Sequence, residues 1–193
     1  MKHVSKLFCC CAVLALCMSV GVIAEDTAPA ATPEAQMPPM GPPPELQTMS
    51  YLMGDWDCTM QSRMCDTCPW IETKGAASFS KTAGGAAIMM TYKGDFMGMP
   101  FEGAGVFCYN RNSKKWQSMW TDNMAAMMSL KEGDYADGKL ILFGQDEMPG
   151  MKWLARETTS KVSDTSVEWV YDASYDSGKT YMTMMKASYT KKK

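Results

Sequence analysis

The chain has 193 residues, with 19 Lys+Arg against 21 Asp+Glu and a formal charge of −2. Charge this balanced, with no basic stripe, lacks the electrostatic footprint of a nucleic-acid binder. The single histidine is His3, so the rest of the chain has no imidazole for Ser-His-Asp or Cys-His catalysis, for zinc or for haem.

The first residues read as an export signal. Lys2 and Lys6 supply a positive start, and Leu7 to Ile23 is uncharged and largely apolar. Val22-Ile23-Ala24 is a small-residue cleavage site before Glu25 and Asp26. The reading is a signal peptide over residues 1–24 and a secreted or periplasmic protein. A retained anchor is the alternative, for which the apolar run is about as short as a bilayer allows. A lipid-modified Cys17 is another, but Leu16 precedes it where Gly or Ala is usual. Cleavage would remove Lys2, His3 and Lys6 and take the formal charge to −4. No later segment suits a membrane span.

Residues 25–44 are mostly Ala, Pro, Thr, Glu and Met, ending in PPMGPPP at Pro38–Pro44. Such a composition buries no core and reads as a flexible, disordered leader. Residues 45–193 then suit one domain. Glu45 to Met53 is a short helix, with Leu46, Met49 and Leu52 to Met53 at helical spacing and Pro44 at a tolerated first-turn position.

After that helix the period drops to two. Strands are expected at 55–61, 70–80, 86–93, 101–109 and 115–121, then at 126–132, 139–145, 152–161, 167–173 and 180–191. Turn signals such as Asn110-Arg111-Asn112-Ser113 and Asp176-Ser177-Gly178 separate them. About ten strands joined by short hairpins predict an all-β fold, a single antiparallel up-and-down β-barrel. Gly103-Ala104-Gly105 is expected to serve as a bend or corner.

The residues Gly54-Asp55-Trp56 resemble the G-x-W opening of lipocalin and calycin barrels. Gly98-Met99-Pro100-Phe101-Glu102-Gly103-Ala104-Gly105, Tyr109-Asn110, Trp120-Thr121-Asp122, Glu132-Gly133-Asp134-Tyr135 and Tyr189-Thr190-Lys191 follow. Over residues 45–193 this set resembles the domain of unknown function 1579 family, placed in the calycin/lipocalin-like superfamily. The resemblance implies a barrel whose Trp56 plugs one end against a basic residue of the last strand. That residue is usually Arg in the family and is Lys191 here. It implies no activity.

Four cysteines follow the signal: Cys58, Cys65, Cys68 and Cys108. In an exported protein an even number reads as disulfides. Cys65 and Cys68 are expected to bridge locally, with Cys58 and Cys108 as a second candidate pair. A redox C-x-x-C wants a helix N-terminus, whereas Pro69-Trp70 leads into a strand. A four-cysteine zinc site wants a second C-x-x-C. No metal site or cofactor is assigned.

Methionine is unusually frequent, 21 residues in all. Met97-x-Met99, Met124-x-x-Met127-Met128, Met148-x-x-Met151 and Met182-x-Met184-Met185 have spacings that thioether Cu(I) sites use. The same residues can stand in for the scarce Leu and Ile as core filler. Trp56, Met60, Phe107, Tyr109, Trp116 and Trp120 are the candidate walls of an apolar ligand pocket. The function expected is therefore non-catalytic binding of an apolar or amphipathic small molecule. Soft-metal handling through Met and Cys, or a filled structural barrel without ligand, are the alternatives. An enzyme using carboxylates alone, with Asp122 and Glu102 as first suspects, ranks behind them.

Overall fold

The structure is a computed structural model that describes residues 41–193. The expected signal peptide over 1–24 and most of the expected leader lie outside the described residues. Ten strands follow one 3₁₀ helix: β1 (Gly54–Ser62), β2 (Ile71–Thr82), β3 (Ala87–Phe96), β4 (Met99–Asn110) and β5 (Lys115–Asp122), then β6 (Ser129–Ala136), β7 (Lys139–Met148), β8 (Met151–Ser163), β9 (Ser166–Ser174) and β10 (Met182–Lys191). Each pairs antiparallel with the next in sequence, and β10 returns to pair with β1, so the barrel is closed and up-and-down. Closure leaves no strand edge unpaired.

The turn chemistry explains the register. Met97-Gly98 and Asp137-Gly138 place two successive residues at positive φ (55° and 84°; 53° and 74°). That is the backbone of a two-residue hairpin whose twist matches the strands, and glycine tolerates the second position at no steric cost. These turns pin Phe96 opposite Met99 and Ala136 opposite Lys139.

The expected helix is present at Pro44–Leu52, wound as a 3₁₀ helix. Its buried residues Leu46, Met49 and Leu52 repeat every three positions, the spacing at which a three-residue turn stacks side chains on one face. Nine residues is long for this geometry, and packing against the barrel holds it. The last four residues of the stretch expected as leader also lie on the barrel. Pro43 is buried, and Arg111 donates from Nη2 to the Gly41 carbonyl.

Gly103 and Gly105 lie within β4 without a break in its pairing, opposite Tyr92 and Met90 on one side and Asp122 and Trp120 on the other. What they provide is space. A Cβ on Gly103 would stand 2.1 Å from Cζ2 of Trp120, so the indole lies flat where those side chains are missing. Among the described residues no helix is long and apolar enough to cross a membrane.

Candidate functional site

Because strands alternate their side chains, register and burial together define the barrel interior. Trp56, Cys58, Met60 and Ser62 point inward from β1, and each is at most 7% exposed. The helix covers the end at which β1 begins. There the Trp56 indole donates to the Leu52 carbonyl at 2.7 Å. Lys191 lies 5.3 Å from the Trp56 ring centre and donates to the Tyr51 carbonyl at 3.1 Å. Lys191 thus occupies the place that the resemblance gives to an arginine.

All six expected pocket residues join one hydrophobic cluster, but they divide between its two ends. Trp56, Phe107, Tyr109 and Trp116 lie toward the helix-covered end, where Tyr109 and Trp116 meet edge-to-face at 5.9 Å. Met60 and Trp120 lie toward the opposite end, where Trp120 stacks on Phe101 at 6.5 Å. Trp56 and Trp116 are sealed. Phe107, Tyr109, Trp120 and Trp169 face inward yet stay only partly buried.

Toward the uncovered end, the wall formed by β6 to β9 carries a polar group that the alternation of β6 conceals. On this strand Leu130 is 64% exposed while Lys131 is 5% exposed. The Lys131 ammonium lies 3.1 Å from Asp146 and 3.1 Å from Glu157 and also donates to Ser129. Asp146 further accepts the Ser129 hydroxyl at 2.5 Å and the Tyr171 hydroxyl at 2.6 Å. Trp153 donates its indole N–H to that Tyr171 oxygen at 2.6 Å.

Burial, then the Asp146 carboxylate, pushes the Tyr171 hydroxyl pKa well up, so this phenol stays protonated as a donor. Asp146 is fully satisfied. Among the described residues Lys131 is the one ion-pair partner of Glu157. Two carboxylates against one ammonium leave the wall with a net charge of about −1 in a medium where charge is weakly screened.

Deeper in, burial raises the Cys58 thiol to about 11, with Tyr189 and Tyr92 partly offsetting that. Tyr189 is buried, and its pKa is raised by burial first and then by Cys58, Tyr92 and Glu157. The Tyr92 hydroxyl is buried with the Cys58 thiol as its polar neighbour, and burial first, then that thiol, raises its pKa.

The uncovered end carries an apolar collar. Ile71, Met99, Met148 and Met151 stand at strand ends on inward-facing positions, and Met64, Met124, Met128 and Tyr175 rise from the loops, all exposed. The hairpins at the covered end carry Arg111, Asn112, Lys114, Asp137 and Asp164 instead. Beside this end a depression of about 530 Å³ is lined by Arg63, Asp66, Asp176, Thr180 and Tyr181 among others.

Cys65 and Cys68 form a disulfide, with Cα atoms 5.0 Å apart. Cys58 and Cys108 are free thiols, which corrects the expected second pair. Cys58 points into the barrel from β1, whereas Cys108 alternates with inward-facing Phe107 and Tyr109 and so lies on the outer wall of β4. Asp122 and Glu102 do not form a carboxylate pair. Asp122 accepts the Trp120 indole and the amides of Met124 and Ala125, and Glu102 pairs with Lys93 at the surface. Among the described residues no group of three or more His, Cys, Asp or Glu is placed to hold a metal.

Closed ten-stranded topology, a helix over one end and an indole beneath it define an antiparallel up-and-down β-barrel covered at that end. The chain belongs to the family described as Protein of unknown function (DUF1579), whose model matches residues 41–191. It is similar in fold to Rv2717c from M. tuberculosis, at 13% identity and a TM-score of 0.60, covering 79% of this chain and 99% of that one. It is also similar to the S-type phycobiliprotein lyase CPES from Guillardia theta, at 12% identity and a TM-score of 0.54, covering 77% and 92% of the two chains. At these identities the likeness is one of fold. No curated protein matches.

Proposed function

We propose that this protein is an exported, non-catalytic carrier that takes an apolar or amphipathic small molecule into its barrel through the collared mouth. One observation carries the reading: Phe107, Trp120 and Trp169 are turned inward by register yet keep part of their surface uncovered. Apolar surface left open inside a closed barrel is stabilised by an apolar guest. The similarity in fold to an S-type phycobiliprotein lyase is in keeping with a small-molecule barrel. The reading assigns no catalytic residue.

The test is a titration of the protein with Nile red, a neutral apolar dye, followed by dye emission and tryptophan quenching. Saturable one-to-one binding supports the carrier. Its absence at micromolar protein, beside an unchanged melt, retires it in favour of a structural barrel. Export is tested separately by the mass of the protein taken from its source cells, which should begin at Glu25.

Soft-metal handling is a second reading, favoured by the gathering of Met64, Met99, Met124, Met128, Met148 and Met151 at one end. Thioethers select Cu(I) over harder ions. Competition with a chromogenic Cu(I) chelator under reducing conditions tests it, and a protein that withdraws no copper removes the reading.

A further inference from the structure

We propose that the guest is an organic cation with an apolar body, a protonated amine whose ammonium sits against Glu157 while its body runs toward the methionine collar. The inference rests on the carrier reading and names its ligand class. Three features of the interior converge on it.

The first is charge. Lys131 donates to Asp146 and Ser129 and lies in ion-pair contact with Glu157. Asp146 is answered by the ammonium and by two hydroxyls. Glu157 faces inward with its side chain 17% exposed and receives the one ammonium it shares with Asp146. A carboxylate has room for about four hydrogen bonds, so Glu157 has capacity for a further donor. The net charge of the group makes a cationic donor the favoured kind.

The second is the surroundings. The polar wall is edged by π-faces and soft sulfur: Trp169 and Tyr171 pack 6.1 Å apart, and Met184 and Met185 pack against the same group. Aromatic faces and thioethers attract ammonium groups and their α-methylenes. They give an anionic head nothing to bind, and Lys131 is already neutralised by two carboxylates.

The third is the collar. Ile71, Met99, Met148 and Met151 are exposed on inward-facing positions at the uncovered end, and they cover a hydrophobic tail.

The experiment compares three probes of equal chain length, dodecylamine, dodecanol and dodecanoate, each displacing Nile red below its micelle concentration at pH 7. The expected order is amine first, tighter than the alcohol by about tenfold to a hundredfold, the worth of one charge-assisted hydrogen bond. Dodecanoate should be weakest. Glu157→Gln should bring amine and alcohol to within about twofold of each other. The comparison on the unaltered protein stands even if that variant fails to fold. Nile red displaced equally by all three, or best by dodecanoate, overturns the cation assignment and leaves the carrier intact. No saturable Nile red or dodecylamine binding overturns both.

Discussion

Replacing Lys131 with methionine tests whether one buried ammonium holds two carboxylates in the barrel wall. The Lys131 side chain is 3% exposed, against 12% for Asp146 and 17% for Glu157, and both contacts are 3.1 Å. Removing one partner of a buried ion pair typically costs about 3–5 kcal/mol, because the remaining charge is stranded away from water. Here two like charges are stranded together. At about 2–4 °C per kcal/mol for a domain of this size, Lys131→Met should melt about 6–20 °C lower at pH 7.

Stranded carboxylates take up protons more readily, so their folded-state pKa values in the variant rise above the unfolded ones. The folded state then binds more protons than the unfolded state between those values, and stability falls as pH rises through that window. The deficit should therefore be largest at pH 7 and shrink toward pH 5. Urea unfolding of both proteins at the two pH values reads it directly. Adding Asp146→Asn and Glu157→Gln to the variant should recover most of the loss, since a charge-free wall has nothing left to compensate. A loss under about 1 kcal/mol at pH 7, or an equal loss at both pH values, would refute the shared counter-charge.

Trp56→Ala removes a fully buried indole beneath the helix, and calorimetry should show a loss of about 3–5 kcal/mol; a melt at the wild-type temperature would mean the indole does not seal that end. Gly103→Ala puts a methyl 2.1 Å from Trp120, so it should cost about 1–3 kcal/mol as overpacking and alter the near-ultraviolet circular dichroism of the indole. An unchanged spectrum and melt would show that β4 has room to spare. Mass mapping after native alkylation should find Cys65 and Cys68 unmodified until reduced and Cys58, raised to about 11 by burial, unmodified until the protein unfolds. Reducing the four-residue Cys65–Cys68 loop should lower stability by no more than about 2 kcal/mol.

The expected ligand residues illustrate how far alternation carries. Phe107 and Tyr109 share a face, as do Trp116 and Trp120, and the structure turns all four inward. Spacing contains no measure of depth along the barrel, however. Trp56 and Trp116 are sealed parts of the covered half, while Trp120 belongs to the open one. The Lys131 group had no legible signal at all. Its members come from four strands, and a Ser-Leu-Lys-Glu run suggests that Leu130 is the buried residue. Only the inward positions of Gly133 and Tyr135, two and four residues along, hint that Lys131 shares their face.

Strands, turns and their order are local matters, and the sequence by itself determined them. Period-two alternation marks each strand, Met97-Gly98 and Asp137-Gly138 set hairpin registers, and a pattern of hairpins without a long crossover leads to an up-and-down barrel. The Cys65–Cys68 bridge is equally local. Tertiary structure alone decided which face of β6 is inside, that Cys58 and Cys108 lie on opposite sides of the wall, and that Gly103 and Gly105 make room for Trp120. Alternation specifies only that neighbours face opposite ways. Which way each faces is set when β10 closes on β1, because closure gives every strand one inside, and the free energy of the whole interior then settles where a lone lysine can be matched by two carboxylates.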